Sequence, residues 1–326
     1  MVVGLLLFLC LSGCLSGSSE RDSRNNNEVD VGDTNDNSDN GNNNGVSDNG
    51  GGASDGNGSS GNNSGGNNNG NNPNNGSTSP PAPAPLPAQP LQNKWAVLVG
   101  MSDYPPEGAG GSDLSDCHID VELCHQYLIS CDFPEERIRI FLNSSATIQK
   151  VAGALERLVK NADENSTVFF YYSGHGSGIG VESYINLWDG DLSGSGIKNA
   201  VSGLRSKKAF FGFDACLNGG MDGVGTGPLH LTDGLAAPCR IIVSASSEIT
   251  LSYSTGSGGA FTRAFIKEGL MEGKGDSFIL GSGDGKTSIE EAFNYAFYRC
   301  ETAGTSLQAP AMLPQINDQY DGEMTL

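Results

Sequence analysis

Basic side chains are scarce in this sequence of 326 residues. It holds 18 Lys and Arg against 38 Asp and Glu, for a net charge of −20. A surface this acidic repels the phosphates of a nucleic acid, so nucleic acid is excluded as an expected partner. The charge instead suits cations or basic peptides, or serves solubility alone.

The apolar stretch that opens the sequence is too short to cross a membrane. MVVGLLLFLCLSGC fills residues 1–14, whereas a spanning helix needs about 20 apolar residues. The stretch is typical of the hydrophobic region of a secretory signal. Its last four residues resemble the lipobox of prokaryotic lipoproteins, where the signal is cut before a cysteine that receives diacylglycerol.

That resemblance implies a lipoprotein signal at residues 1–14 and lipidation of Cys14. The expected location is the outer face of a prokaryotic cell membrane, reached by export. The alternative is a plain signal peptide with an incidental cysteine.

Apolar side chains are almost absent from the next segment. Residues 15–78 are mainly Asn, Gly, Ser and Asp, and SPPAPAPLPAQP follows at residues 79–90. Such a segment cannot bury enough surface to offset its ordering entropy, and its proline-rich part is a stiff spacer. We therefore expect residues 15–90 to be a disordered tether and spacer. Residues 91–326 are expected to form one monomeric domain that contacts the membrane only through the lipid.

Predicted strands and helices alternate along this domain. Short apolar runs predict strands at residues 95–101, 137–142, 167–173, 209–215 and 240–246, with an edge strand at 322–326. Helical patterns occupy residues 116–130, 147–160, 197–204, 260–271 and 288–300. Thr287 and Glu290 are expected to form a capping box for the last helix. The alternation predicts an α/β fold with a mostly parallel central sheet of about six strands and helices on both faces.

Two reactive side chains follow neighbouring predicted strands. His175 comes after VFFYYSG and has a glycine on each side, and Cys216 comes after FFGFDA. Ligands of such sheets collect beyond the carboxyl ends of the strands. We therefore expect an imidazole and a thiol at the same edge of the sheet, with a hairpin and a crossover helix between them in sequence.

An imidazole beside a thiol is the pair that nucleophilic catalysis by cysteine needs. The thiolate is the nucleophile, and the imidazole takes its proton and later protonates a leaving amine. Gly176 has no side chain, so its N–H would approach a substrate carbonyl closely and stabilise the oxyanion. The alternative is an ordinary turn at Gly174 and Gly176 around a structural histidine.

Four motifs carry a resemblance to a known family. WAVLVGMSDY, LSDCHIDVELCHQYL, VFFYYSGHGSG and FFGFDACLNGG, in that order, resemble the caspase-like cysteine peptidases, especially the prokaryotic metacaspases. The resemblance covers residues 95–326 and implies a caspase-like three-layer sandwich. It implies a catalytic dyad of His175 and Cys216, with the N–H groups of Gly176 and Cys216 as oxyanion donors. The implied activity is a cysteine endopeptidase that acts on protein or peptide substrates and needs no cofactor for its chemistry.

The resemblance also implies cleavage after Arg or Lys. Metacaspases hold these side chains with acidic residues, and the matching positions here are Asp120 and Asp214, with Cys117 and Ser173 as further pocket positions. Two carboxylates would hold a guanidinium well. The alternatives are a solvated helix residue for Asp120 and a loop-orienting role for Asp214.

Calcium is an activator that the resemblance implies. Asp189 and Asp191 in WDGDL, together with Asp222 after the nucleophile, are the expected ligands, and hard oxygen ligands of this kind suit Ca²⁺. Their spacing departs slightly from that of the family.

Two other functions and one structural question stay open at the level of sequence. A surface binding protein would keep the fold without the activity, and a transpeptidase would use the same dyad to join peptides. The intact His175 and Cys216 argue against the first. The pairing of the domain's cysteines cannot be chosen from the sequence.

Overall fold

We describe residues 93–106, 111–179, 182–223, 234–306 and 312–326 in a computed structural model. The predicted signal, the lipidation site Cys14 and the predicted tether lie outside the described residues, so those predictions stand as predictions.

The described residues form strands and helices in alternation. The strands are β1 Lys94–Gly100, β2 Ile138–Leu142, β3 Thr167–Ser173, β4 Gly176–Ile179, β5 Glu182–Leu187, β6 Gly190–Ser193, β7 Lys208–Asp214, β8 Arg240–Ser244 and β9 Gln315–Asp318. The helices are α1 Cys117–Ser130, α2 Ile148–Asn161, α3 Gly194–Ala200, α4 Ala260–Thr262 and α5 Ile289–Ser306. Helix α4 continues without a break as a π-helix, Arg263–Met271. Short 3₁₀ turns occupy Glu135–Arg137, Asn143–Ser145 and Gly219–Asp222.

A six-stranded sheet forms the centre of the described domain. Its strand order is β2-β1-β3-β7-β8-β9, and neighbouring strands are parallel except for β8 and β9. Helices cover both faces of the sheet. The predicted α/β fold, with about six mostly parallel strands, is therefore confirmed.

The central strands are buried on both faces, which explains their continuous apolar sequences. All seven residues of β3 are buried. Phe169 and Tyr171 enter the core that packs under α1, the π-helix and α5, while Phe170 and Tyr172 enter the core under α2 and α3. This alternation is the two-residue period of a strand. Packing on both faces holds the sheet in place, and the loops at its carboxyl edge extend from this fixed base.

A small antiparallel sheet lies between β3 and β7 in the sequence. β4, β5 and β6 pair in that order, and α3 follows them. The predicted hairpin and crossover helix therefore occur, with one more strand than a hairpin. Because β4 begins at Gly176, the chain turns directly from His175 into this second sheet.

The edge strand lies earlier than the sequence predicted. Gln315–Asp318 pairs with β8, and the predicted strand at 322–326 is wrong. That tail packs on the start of α5 instead: Ile289 donates its N–H to the Met324 carbonyl oxygen at 2.8 Å, and Met324 donates its own to the Glu290 carboxylate at 3.0 Å. The tail's apolar residues are buried against a helix, and in sequence they give the same pattern as the apolar residues of an edge strand.

The cap of α5 lies one residue later than predicted. Glu291 donates its N–H to the Ser288 hydroxyl at 3.2 Å, and Ser288 donates its N–H to the Glu291 carboxylate at 3.0 Å. This reciprocal pair is a capping box, so the predicted box of Thr287 and Glu290 is wrong. Glu290 is engaged by Met324 of the tail.

No disulfide joins any two of the described cysteines, which are Cys117, Cys124, Cys131, Cys216, Cys239 and Cys300. Among the helices in the described part of the chain, none combines the length and the apolar character that crossing a membrane requires.

Candidate active site

Strands β3 and β7 bring their carboxyl ends side by side. The two strands are parallel neighbours, and their register pairs Ser173 with Asp214. Beyond this pair, Gly174 donates its N–H to the Asp214 carbonyl oxygen at 3.2 Å. His175 and Cys216 each follow the paired residues by two positions, so both leave the sheet at the same edge.

The ring of His175 is held by residues of the loop after β1. Its Nε2 lies 2.7 Å from the carbonyl oxygen of Ser112. A carbonyl only accepts hydrogen bonds, so Nε2 carries the hydrogen and the neutral ring keeps its lone pair on Nδ1. The Tyr104 ring packs against the imidazole with centroids 4.9 Å apart, and the Tyr104 hydroxyl accepts the His175 N–H at 2.7 Å.

The carbonyl of His175 is fixed as well. Tyr172 donates its hydroxyl to this oxygen at 2.7 Å, and Asn186 donates its N–H at 3.1 Å. The main chain at position 175 is therefore held on both sides. An imidazole mounted in this way has a defined tautomer and orientation, which a general base needs.

Gly176 lies directly against the main chain of the predicted nucleophile. A β-carbon at position 176 would overlap the carbonyl oxygen of Cys216 and would stand 2.9 Å from the Ala215 β-carbon. Only glycine fits this approach. The sequence-level expectation that bare backbone is needed next to His175 therefore has a specific steric cause. The oxyanion roles of the Gly176 and Cys216 N–H groups stay predictions.

Cys216 sits on a strained turn. Its side chain is buried, and its Sγ lies 3.6 Å from the Ser252 carbonyl oxygen. The next residue, Leu217, has φ of 57°, a left-handed conformation that costs a branched side chain about 1–3 kcal/mol. Hydrogen bonds hold it there, from the Leu217 N–H to the Thr250 carbonyl oxygen at 3.0 Å and from the Ser183 hydroxyl to the Leu217 carbonyl oxygen at 2.7 Å. Backbone strain of this kind clusters at functional sites.

The four predicted pocket residues line one small cavity beside Cys216; they are Cys117, Asp120, Ser173 and Asp214. The cavity has a volume of about 30 Å³, room for little more than a water molecule. Asp120 is 1% exposed and Asp214 is 4% exposed. The alternative of a solvated Asp120 is therefore wrong, because the helix turns this side chain into the pocket.

Protein donors satisfy both carboxylates. Asp120 accepts from the Ser173 hydroxyl at 2.6 Å and from the Gly259 N–H at 2.8 Å. Asp214 accepts from the Ser252 hydroxyl, and from both the N–H and the hydroxyl of Thr262, at 2.9 and 2.7 Å. Asp214 thus orients two neighbouring segments while it lines the pocket.

Burial disfavours the charged form of these acids. It raises the pKa of Asp120 well above the ordinary aspartate range, and the nearby Asp214 charge raises that pKa further. Burial also raises the pKa of Asp214. Among the described residues, no lysine or arginine forms an ion pair with either carboxylate. A cation in this pocket would therefore relieve a large electrostatic cost.

A third carboxylate, not identified from the sequence, also lines the pocket. Asp116 is 2% exposed. It accepts from the Ser254 hydroxyl at 2.7 Å and from the Gly258 N–H at 2.9 Å. Because Asp116 directly precedes a helix, the sequence indicated only a helix start. The pairing of Asp116 with a segment more than a hundred residues later has no local signal.

A single segment, residues 252–259, closes the pocket. It supplies hydrogen bonds to all three carboxylates, through Ser252 to Asp214, through Ser254 and Gly258 to Asp116, and through Gly259 to Asp120. The Ser252 carbonyl oxygen also faces the Cys216 thiol. We name residues 252–259 the covering segment.

Each of the three predicted calcium ligands accepts a hydrogen bond from a different part of the fold. Asp189 accepts the N–H of Ile148 at 2.7 Å, at the start of α2, and Asp191 accepts from the Asn186 side chain at 2.7 Å. Asp222 accepts from the Asn317 side chain at 3.1 Å. Across the described ranges, no three acidic, histidine or cysteine side chains are grouped as a metal ion requires. These residues do not assemble the expected ligand set, and calcium activation stays a prediction.

Comparison with known proteins supports the fold and the family. A family model, the caspase domain, matches residues 93–301. A crystal structure of protein GSU0716 from Geobacter sulfurreducens is similar with 15% identity and a TM-score of 0.50, covering 72% of this chain and 99% of that one. Caspase-1 from Spodoptera frugiperda is similar with 11% identity and a TM-score of 0.51, covering 72% and 90%. A search of curated proteins found no match.

The matched range includes β3, β7 and every residue of the candidate site described above. Its members' cysteine peptidase chemistry agrees with a histidine and a cysteine at neighbouring strand ends. The chain belongs to the caspase-domain family.

Proposed function

We propose that this protein is a cysteine endopeptidase that uses a His175–Cys216 dyad to cleave peptide bonds after Arg or Lys. The observation that carries the proposal is the shared sheet edge: β3 and β7 are paired at Ser173 and Asp214, and His175 and Cys216 follow directly. The buried acidic pocket opens onto the same Cys216.

The reaction follows from the orientation of the His175 ring. Nδ1 of His175 takes the proton of the Cys216 thiol, and the thiolate attacks the scissile carbonyl carbon. The oxyanion that forms is stabilised by the N–H groups of Gly176 and Cys216. The imidazolium then gives its proton to the leaving amine as the C–N bond breaks. Water, deprotonated by the same ring, releases the acyl group and restores the thiol.

Charge explains the choice of Arg or Lys. Asp116, Asp120 and Asp214 place three buried carboxylates around one pocket, and no described cation neutralises them. A guanidinium offers the donors that carboxylates accept best. An aspartate side chain would instead add a fourth like charge in a buried site.

The pocket must open before such a side chain binds. A cavity of about 30 Å³ is too small for an arginine side chain, so the covering segment moves outward when substrate binds. The donors that it supplies to Asp116 and Asp120 are then replaced by those of the substrate. The described arrangement is the closed one.

The proposal includes the setting of the enzyme. We place it in the metacaspase branch of the family, as a monomer held by a lipid on Cys14 at the outer face of a prokaryotic membrane. The support is the lipobox-like end of residues 1–14 and the YSGHG and DACLNGG motifs. Calcium activation belongs to the same proposal.

The experiment is a cleavage assay on the full-length protein in reducing buffer, with and without Ca²⁺. Fluorogenic peptides end in Arg, Lys, Asp or Asn, and the variants are Cys216→Ala, His175→Ala and the control Cys239→Ala. We expect cleavage after Arg and Lys that both site variants abolish and the control retains. Cleavage after Asp or Asn would overturn the role of the acidic pocket, and no cleavage by the folded protein would favour a binding protein. A parallel assay contains an added amine nucleophile, and a product in which the acyl part of the peptide is joined to that amine would instead indicate transpeptidation.

A further inference from the structure

A second, larger cavity is also lined by residues of the covering segment. Its volume is about 320 Å³. Thr255 and Ser257 of the covering segment form one wall, and Arg263, Glu268 and Arg299 project from the π-helix and α5. None of these residues belongs to the proposed catalytic or acidic sites.

This cavity carries positive charge in an acidic chain. Glu268 is already engaged, because its Oε2 lies 3.5 Å from Nε of Arg299 and accepts the Tyr295 hydroxyl at 2.6 Å. Arg263 has a carbonyl as its polar contact, with Nη1 at 3.4 Å from the Ser257 oxygen. No carboxylate pairs with Arg263 among the described residues. Two guanidiniums and one carboxylate therefore line the cavity.

The two cavities are adjacent and have opposite charge. Ser252 and Ser254 line the acidic pocket, whereas Thr255 and Ser257 line the basic cavity. A β-carbon at position 258 would meet Oδ1 of Asp120 at 2.7 Å and Cγ of Arg263 at 3.4 Å. The Asp120 carboxylate and the Arg263 stem thus both lie close to the same glycine. A single extended peptide reaches across such a distance within a few residues.

We propose that the basic cavity is a substrate subsite for an acidic side chain, with Arg263 as its main ligand and Arg299 as a second cation. The inference rests on the proposed function, since the peptide that places Arg or Lys in the acidic pocket also supplies the Glu or Asp. The substrate class is therefore a peptide with one basic residue at the cleaved bond and one acidic residue close to it.

The π-helix has a part in this arrangement. Arg263 is its first residue and Glu268 lies within it. π-Helical turns are rare in proteins, and those that occur are often at functional sites. Glu268 contacts Arg299 of α5 and Arg263 contacts Ser257 of the covering segment, and all four residues line the cavity.

The test measures binding, so that it does not depend on cleavage. Labelled peptides carry one Arg, with Glu or Gln walked through the four positions on each side. Their affinity for full-length Cys216→Ala is measured by fluorescence anisotropy. We expect one position at which Glu binds about tenfold more tightly than Gln, the effect of one hydrogen-bonded charge pair. Arg263→Met removes that difference, and Arg263→Lys keeps part of it.

The matched control is Lys267→Met, which removes one positive charge from the same helix outside the cavity lining. It should retain the Glu preference. Equal affinity for Glu and Gln peptides at every position, or a preference that survives Arg263→Met, overturns the subsite. Cleavage after Arg without any Glu preference would leave the proposed function standing and remove only this inference. Absence of peptide binding by the folded protein would also overturn the proposed subsite.

Discussion

Gly176 packs against the carbonyl of Cys216, so the two strand ends that bear the imidazole and the thiol are in direct main-chain contact. A β-carbon at 176 would overlap that oxygen. The contact fixes the position of the segment after β3 relative to the segment after β7. It explains why a glycine follows the histidine, in terms of sterics and not of turn formation.

Gly176→Ala should therefore lower kcat by about a hundredfold or more, because the two loops must separate and the reacting groups are displaced. Gly178→Ala is the matched control in the same strand, where the nearest atom to a β-carbon is the Leu217 β-carbon at 3.6 Å. Steady-state kinetics on an Arg peptide would compare the two. Equal activity of both variants would contradict the steric account.

Asp120 should give the enzyme a pH-dependent KM. Burial and the Asp214 charge raise the pKa of Asp120, so this carboxyl gains its charge only as the pH rises through the raised value. KM for an Arg peptide should fall over that rise, and Asp120→Asn should raise KM and flatten its pH dependence. A pH series of KM for both proteins is the measurement. The same slope in both would show that Asp120 does not bind the basic side chain.

The raised pKa of Asp120 also links to stability. The folded state holds this proton more tightly than the unfolded state, so the Asp120 contribution to the unfolding free energy falls as pH rises from about 3.9 through the raised pKa. Urea unfolding of Asp120→Asn across the same pH range should show a smaller fall than the parent protein shows.

Tyr104 is a positioning residue in this account. Tyr104→Phe keeps the ring that packs on His175 but removes the acceptor of the His175 N–H. A lost hydrogen bond of this kind costs about 1 kcal/mol, so kcat should fall about fivefold while KM changes little. Tyr184→Phe removes a hydroxyl that donates to the Glu182 carboxylate at 3.3 Å, and this variant serves as the control. An increase in KM alone would contradict the assignment.

Helix α5 offers a test of the fold without activity. Ser288→Ala should lower the unfolding free energy by about 1 kcal/mol, because it removes the capping box with Glu291. Thr287→Ala is the matched neighbour and should cost clearly less. Chemical denaturation of both variants decides between them, and a larger loss at Thr287 would return the cap to the position that the sequence indicated.

Hydrophobic periodicity and residue chemistry predicted those parts of the molecule in which a local sequence pattern is compatible with one structure only. Runs such as VFFYYS are continuous because β3 is buried on both faces, and a histidine and a cysteine beyond such runs identify the reactive edge. The edge strand was misplaced because burial of Met324 against α5 looks like burial in a sheet.

Long-range contacts were beyond such reasoning. The Ser112 carbonyl that orients His175 is a main-chain group, so no residue type marks it. Asp116 joins the pocket through Ser254 and Gly258, which only the folded chain brings near. The basic cavity likewise combines Arg263 and Arg299 from separate helices.

The most direct measurement is covalent labelling of the full-length protein by a peptide acyloxymethyl ketone ending in Arg, with the adduct mapped by peptide mass spectrometry. The account predicts one adduct, on Cys216, that forms far faster than with the Asp-ending reagent and is lost in His175→Ala. Labelling of Cys131 or Cys239 instead, or equal rates with Arg and Asp reagents, would contradict it.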